Sequence, residues 1–103
     1  MDESAYRFLG LMQKAGKTLS GNLQLADGLK KGNGVLLLIA EDASDRTKEE
    51  YRRAAENRHI PCRIAGEKGR LGRALGKGER SAVLITDRGF AKALEKKLAS
   101  ENK

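Results

Sequence analysis

The sequence predicts an α/β protein, a three-layer α/β/α sandwich with a small mixed four-stranded sheet. Three observations predict it. Segments with helical apolar spacing alternate with short apolar runs along all 103 residues. Two of those runs, VLLLIA at 35–40 and AVLIT at 82–86, are almost uniformly apolar, as strands buried on both faces are. A sheet apolar on both sides needs helices on both sides. The connections are short, and there is no internal repeat or low-complexity tract, so residues 1–103 form one domain.

Each element has a local reason. Ala5, Phe8, Leu9 and Met12 follow i, i+3, i+4, i+7, which predicts a helix over 4–15, with Ser4 as its cap and Gly16 just past its end. Lys17, Thr18 and Leu19 make a short extended stretch. Ser20 and Gly21 open a second helix with Leu25, Ala26 and Leu29 inside and Gly32 as its stop. After the 35–40 strand, Ser44 or Asp45 caps a third helix reaching Arg58, with a thin inner face of Tyr51, Ala54 and Ala55. Pro61 ends the next turn, and CRI at 62–64 is a short strand. EKGRLGRALG, 67–76, reads as a glycine-interrupted fourth helix. Asp87 caps the last one, where Phe90, Leu94 and Leu98 recur every fourth residue.

Composition excludes several classes of function. No apolar run is long enough to span a membrane, and the N-terminus lacks a signal peptide's basic and apolar regions, so a cytoplasmic location is expected. One cysteine, Cys62, and one histidine, His59, allow neither an internal disulfide nor a zinc cluster. Lys and Arg number 21 against 14 Asp and Glu, a net charge of +7. Such an excess points to an anionic partner, most often nucleic acid; the plain alternative is charge for solubility.

The segment GLMQKAGKT, 10–18, approximates a phosphate-binding loop. That loop requires four residues between its glycines and a strand before it. Leu11 to Ala15 supply five, and a helix precedes Gly16. Gly10 then serves close helix packing, and no nucleotide site is expected. Glu41-Asp42 follows a buried strand, where α/β proteins often place functional groups, but a lone carboxylate pair fits a capping or solvating role better. Cys62 within a short strand reads as a small hydrophobe rather than a nucleophile. No catalytic set emerges, so the chain is expected to be non-enzymatic and without cofactor or metal.

The cations are more informative. Arg63, Lys68, Arg70, Arg73, Lys77 and Arg80 face only Glu67 and Glu79, and glycines interleave them. Glycines let a backbone approach phosphate closely, and long cationic chains neutralise it. Lys14 and Lys17 are expected to flank the turn into Ser20-Gly21-Asn22, where a helix N-terminus offers free N–H groups. Aromatic residues are scarce there, which argues against a base-stacking platform for single strands.

These segments carry a resemblance. SGN opening a helix, then LKKG, VLLLIAEDAS, RLGRALG and AVLITD, in this order and spacing, resemble the kink-turn RNA-binding ribosomal protein family of the L-seven-Ae type. AGKTLSG and TDRGFAKAL are most similar to its bacterial YlxQ-like branch. The resemblance covers nearly the whole chain. It implies an α/β/α sandwich that binds a sharply bent RNA element through the second helix's N-terminus, the loop after IAEDA and the LGRALG region. By position, Gly21 matches the glycine opening the contact helix, and Lys68 a phosphate-contacting lysine. Lys77 and Arg80 fall in the loop that closes over a flipped-out nucleotide.

The chain departs from the family where an Asn-Glu pair reads sheared G·A pairs: it has Leu23-Gln24. Asp27 stands where the family has a lysine. Asn22 could partly replace the asparagine, and Gln24 keeps a neutral acceptor, weaker than a carboxylate. The expectation is therefore a monomeric protein that binds structured RNA, ribosomal or otherwise, with weakened kink-turn readout. Its RNA-binding residues would be Lys14, Lys17, Ser20, Gly21, Asn22, Gln24, Lys68, Arg70, Arg73, Lys77 and Arg80. The alternative is a protein-interaction module on the same fold that has lost kink-turn readout.

Overall fold

A computed structural model describes residues 1–101. Five helices and four strands alternate: α1 (Glu3–Lys14), β1 (Thr18–Ser20), α2 (Asn22–Lys31), β2 (Leu36–Ile39), α3 (Asp45–Asn57), β3 (Cys62–Ile64), α4 (Lys68–Ala74), β4 (Ala82–Ile85) and α5 (Arg88–Ser100). The sheet order is β1-β4-β2-β3. β4 runs antiparallel to both β1 and β2, and β3 runs parallel to β2, so the sheet is mixed as expected.

The two apolar runs take the central places. Every residue of β2 and β4 is buried, which requires cover on both faces. Leu19, Leu84 and Leu37 lie opposite one another and so point to one side of the sheet. Gly28 and Gly34 crowd that side: a Cβ on either would stand within 3.0 Å of the Leu84 side chain. α2 therefore covers this face, tied to α3 by an Arg58 Nη1 donation to the Lys30 carbonyl at 3.1 Å. On the other face α1 packs with α4 and α5. Gly10 allows this: a Cβ there would meet the Ala74 carbonyl oxygen at 3.1 Å.

Most ends fall where local chemistry puts them. Ser44 accepts from the Thr47 N–H and Asp87 from the Phe90 N–H. Gly16 and Gly32 take φ of +73°, the left-handed turn past a helix end. Four details differ. Asp2, not Ser4, caps α1, its Oδ1 accepting from the Ala5 N–H at 2.9 Å. Ser20 is the last residue of β1 and Gly21 alone is the cap position of α2. Within α2 the buried small residue is Gly28, while Ala26 is exposed, because the close approach to Leu84 sets the helix's rotation. α4 stops at Ala74, with Gly76 left-handed at φ +69°. No helix among the described residues is long and apolar enough to cross a membrane.

Candidate nucleic-acid interface

The strand directions decide which loops meet. Ser20 pairs with Val83 and Ile39 with both Ala82 and Ile64, so the ends of β1, β2 and β3 lie beside the start of β4. One edge of the molecule thus gathers the N-terminus of α2 and the segments 40–44, 65–67 and 76–81. Backbone hydrogen bonds stitch these segments together. The Ala40 N–H donates to Ser81 O (2.8 Å), the Glu41 N–H to Gly66 O (2.7 Å) and the Arg80 N–H to Lys68 O (3.1 Å).

A concavity of about 310 Å³ opens at this edge, lined by Ser20, Gly21, Asn22, Leu23, Gln24, Lys77 and Arg80. Arg80 is fixed in place. Its Nε donates to the buried Ser20 Oγ at 3.2 Å, and its Nη1 to the Glu79 carbonyl at 3.0 Å. Among the described residues neither Arg80, Lys77 nor Lys68 is ion-paired. The N-terminus of α2 carries no side-chain cap, so its first N–H groups and its positive dipole end face the concavity. Asn22 Oδ1 accepts from the Tyr51 hydroxyl at 3.4 Å. Leu23 is 87% exposed in the first turn of α2. A large apolar side chain held in water beside two cations has the chemistry to take an anionic group and one apolar group.

Six expected residues therefore meet at one place: Ser20, Gly21, Asn22, Gln24, Lys77 and Arg80. Lys68 stands at the same edge, at the start of α4. The others do not join them. Lys14 and Lys17 flank the turn into β1 rather than the turn out of it. Lys17 lies at the opposite end of that strand, about 13 Å from Gly21 at strand rise, and Lys14 stands before it at the end of α1. The expectation that they flank Ser20-Gly21 fails because a strand, not a loop, intervenes. Arg70 is engaged by Glu3 at 2.7 Å and lies 4.3 Å over the Tyr6 ring, on the α1 side of α4. Arg73 is exposed on that same side, beside Arg7 and Gly10.

The remaining motifs resolve structurally. Gly10 is inside α1 and Gly16 follows its end, so GLMQKAGKT contains no strand-to-helix phosphate loop. Burial pushes the half-buried Cys62 thiol up, the reverse of an activated nucleophile. Asp42 caps a helix from a distance: its Oδ1 accepts from the Lys68 N–H at 2.8 Å. The sequence signals a capping role for the Glu41-Asp42 pair but not its target, because residue 68 is remote in the chain. Asp42→Ala should lower stability by about 0.5–2 kcal/mol, the usual cost of a lost cap. Glu41→Ala, at an exposed position with no side-chain hydrogen bond among the described residues, should leave the urea midpoint in place. Equal effects of the two changes would refute the cap.

The fold and this edge define a class of protein: a small three-layer α/β/α binding domain with an uncapped helix N-terminus and, at one rim, cations that have no ion pair among the described residues. The chain belongs to the Ribosomal protein L7Ae/L30e/S12e/Gadd45 family, whose model matches residues 3–95. It is similar to RNA-binding protein YlxQ of Bacillus subtilis (strain 168), with 32% identity covering 86% of this chain and 89% of that one. It is similar also to the RNA-binding protein YlxQ of Enterococcus faecium, with 30% identity covering 87% and 86%. Among solved structures, a protein of unknown function from Bacillus halodurans C superposes with a TM-score of 0.83 at 30% identity, covering 91% of this chain and 95% of that one. A Giardia lamblia 15.5kD RNA binding protein shares the fold, with a TM-score of 0.72 at 18% identity, covering 93% and 86%.

Proposed function

We propose that this protein binds structured RNA of the kink-turn type, ribosomal or similar, as a cytoplasmic monomer without catalysis or cofactor. The rim concavity is the contact surface. The observation that carries the reading is Lys77 and Arg80 beside the uncapped N-terminus of α2, with Lys68 at the same edge, none of them paired by a described carboxylate. Cations and helix N–H groups together suit phosphate. Relatives named as RNA-binding proteins support the same reading. Asn22 and Gln24 would supply the neutral amide contacts to base edges.

The electrostatic part has a direct test. Each phosphate neutralised should contribute about −0.7 to −0.9 to the slope of log K against log salt. Lys68, Lys77 and Arg80 together predict a slope of roughly −2 to −3 on a structured RNA. Lys68→Ala should weaken a kink-turn and a duplex alike, since a phosphate contact carries no sequence information. A slope near zero, or no binding at low salt, would refute the RNA reading.

One observation favours a second reading, a protein-interaction module: Leu23, an exposed large apolar side chain in the lining of the rim concavity. Purification from cells separates the two. Bound RNA supports the first, and a stoichiometric protein partner that Leu23→Asp releases supports the second.

A further inference from the structure

A second cationic groove lies on the far side of α4, between α4 and α1. Its two adjoining concavities, of about 200 and 390 Å³, share Arg7, Gly10, Arg73 and Ala74. Arg70 closes one end and Lys14 the other. The floor is small because Gly10 and Ala74 bring the two helices close, a Cβ at Gly10 standing 3.1 Å from the Ala74 carbonyl oxygen. Arginine side chains therefore stand up from a shallow trough. Glu3 is the one carboxylate in the lining, and it is already held by Arg70 at 2.7 Å. Arg73 has no ion pair among the described residues, and Arg7 is 79% exposed with only a 4.0 Å approach to Glu3.

The trough meets the rim just past the C-terminal end of α4. There Gly76, which lines the trough, precedes Lys77 of the rim concavity. From Arg7 to Lys14 it runs about 10 Å along α1. We propose that this trough is a second RNA contact, holding the sugar–phosphate backbone of a helix that flanks the structured element seated at the rim. The proposal rests on the RNA reading above and extends it to a face that includes Arg7. Planar arginine forks over a shallow floor suit phosphates, which project from a helix surface, and Arg70, Arg73 and Lys77 lead along α4 and past its end to the rim. An acidic protein segment is the competing occupant.

The test uses the full chain, Arg7→Gln/Arg73→Gln, and two RNAs sharing one structured element. The first RNA is minimal and the second has its flanking helix lengthened by one turn. Both arginines are exposed, so circular dichroism and urea unfolding should match those of the native chain. The native protein should bind the longer RNA more tightly, by on the order of tenfold for each arginine engaged. The double variant should bind the minimal RNA as the native protein does and lose the gain on lengthening. Its salt slope on the longer RNA should be shallower by about 1.4 to 1.8. Native binding that ignores RNA length, or a variant that keeps the gain, overturns the trough contact while leaving rim binding intact. Loss of a co-purifying acidic protein, with both RNA affinities unchanged, overturns it in favour of that partner. Failure of the native chain to bind either RNA removes both proposals.

Discussion

Gly72→Ala is expected to destabilise the fold by about 1–3 kcal/mol, the usual cost of forcing a methyl into packed structure, and to weaken RNA binding with it. Helix propensity predicts the opposite sign. Gly72 lies within α4, and alanine there would ordinarily stabilise by about 1 kcal/mol. Packing decides against propensity: a Cβ at Gly72 would stand 1.9 Å from the Gly78 carbonyl oxygen and 2.6 Å from its carbon. Those atoms are backbone, so no rotamer change relieves the clash, and segment 76–80 must move. That segment carries Lys77 and Arg80, and it is tied to α4 by the Lys77 N–H donation to Gly72 O at 2.8 Å. Displacing it takes two of the rim's cations out of register with the N-terminus of α2. Gly69→Ala is the control in the same helix, since nothing lies within 4 Å of its added Cβ. It should stabilise, and RNA affinity should hold. Urea unfolding of both variants, with RNA titration at fixed salt, checks the pair. Gly72→Ala as stable as Gly69→Ala would show that the loop does not need this contact.

Leu23→Asn, Gln24→Glu and Asp27→Lys together should raise the preference for a kink-turn over a duplex of equal length. Each recovered base-edge contact should be worth about 1–3 kcal/mol, if discrimination in DNA grooves is a fair guide. The structure makes the experiment clean. Leu23, Gln24 and Asp27 are all exposed, so their replacement removes no core packing. Asp27 pairs with Lys31 at 3.1 Å one turn on, an exposed helical pair worth only about 0.3–0.5 kcal/mol. A carboxylate at 24 would accept guanine N–H groups with full charge, and removing the Asp27 charge would end its repulsion of phosphate. The native chain should show only a modest preference, its affinity resting on phosphate contacts. Strong native preference at the same salt would mean that Leu23 and Asp27 do not limit recognition, and would move attention to the Asn22 amide. A triple variant with unchanged preference would mean that the rim does not meet base edges.

Much of this molecule is written locally in its chain. The apolar runs at 35–40 and 82–86 become β2 and β4 because residues apolar on both sides of an extended chain can only be central. Ser44, Asp87, Gly16 and Gly32 mark helix ends because capping involves groups a few residues apart. The family, too, is legible from the order and spacing of its segments, and the matched span of 3–95 agrees. What the chain could not settle is where distant segments meet. The order β1-β4-β2-β3 sets Ser20 against Arg80 and places Lys14 and Lys17 at the other end of a strand. The same order brings Asp42 to the N–H of Lys68 and presses Gly72 on Gly78. Periodicity and caps act over one or two turns, whereas these juxtapositions depend on the direction of each strand relative to its neighbours. Only the closed sheet fixes that direction, because pairing and burial on both faces are satisfied in one arrangement at once.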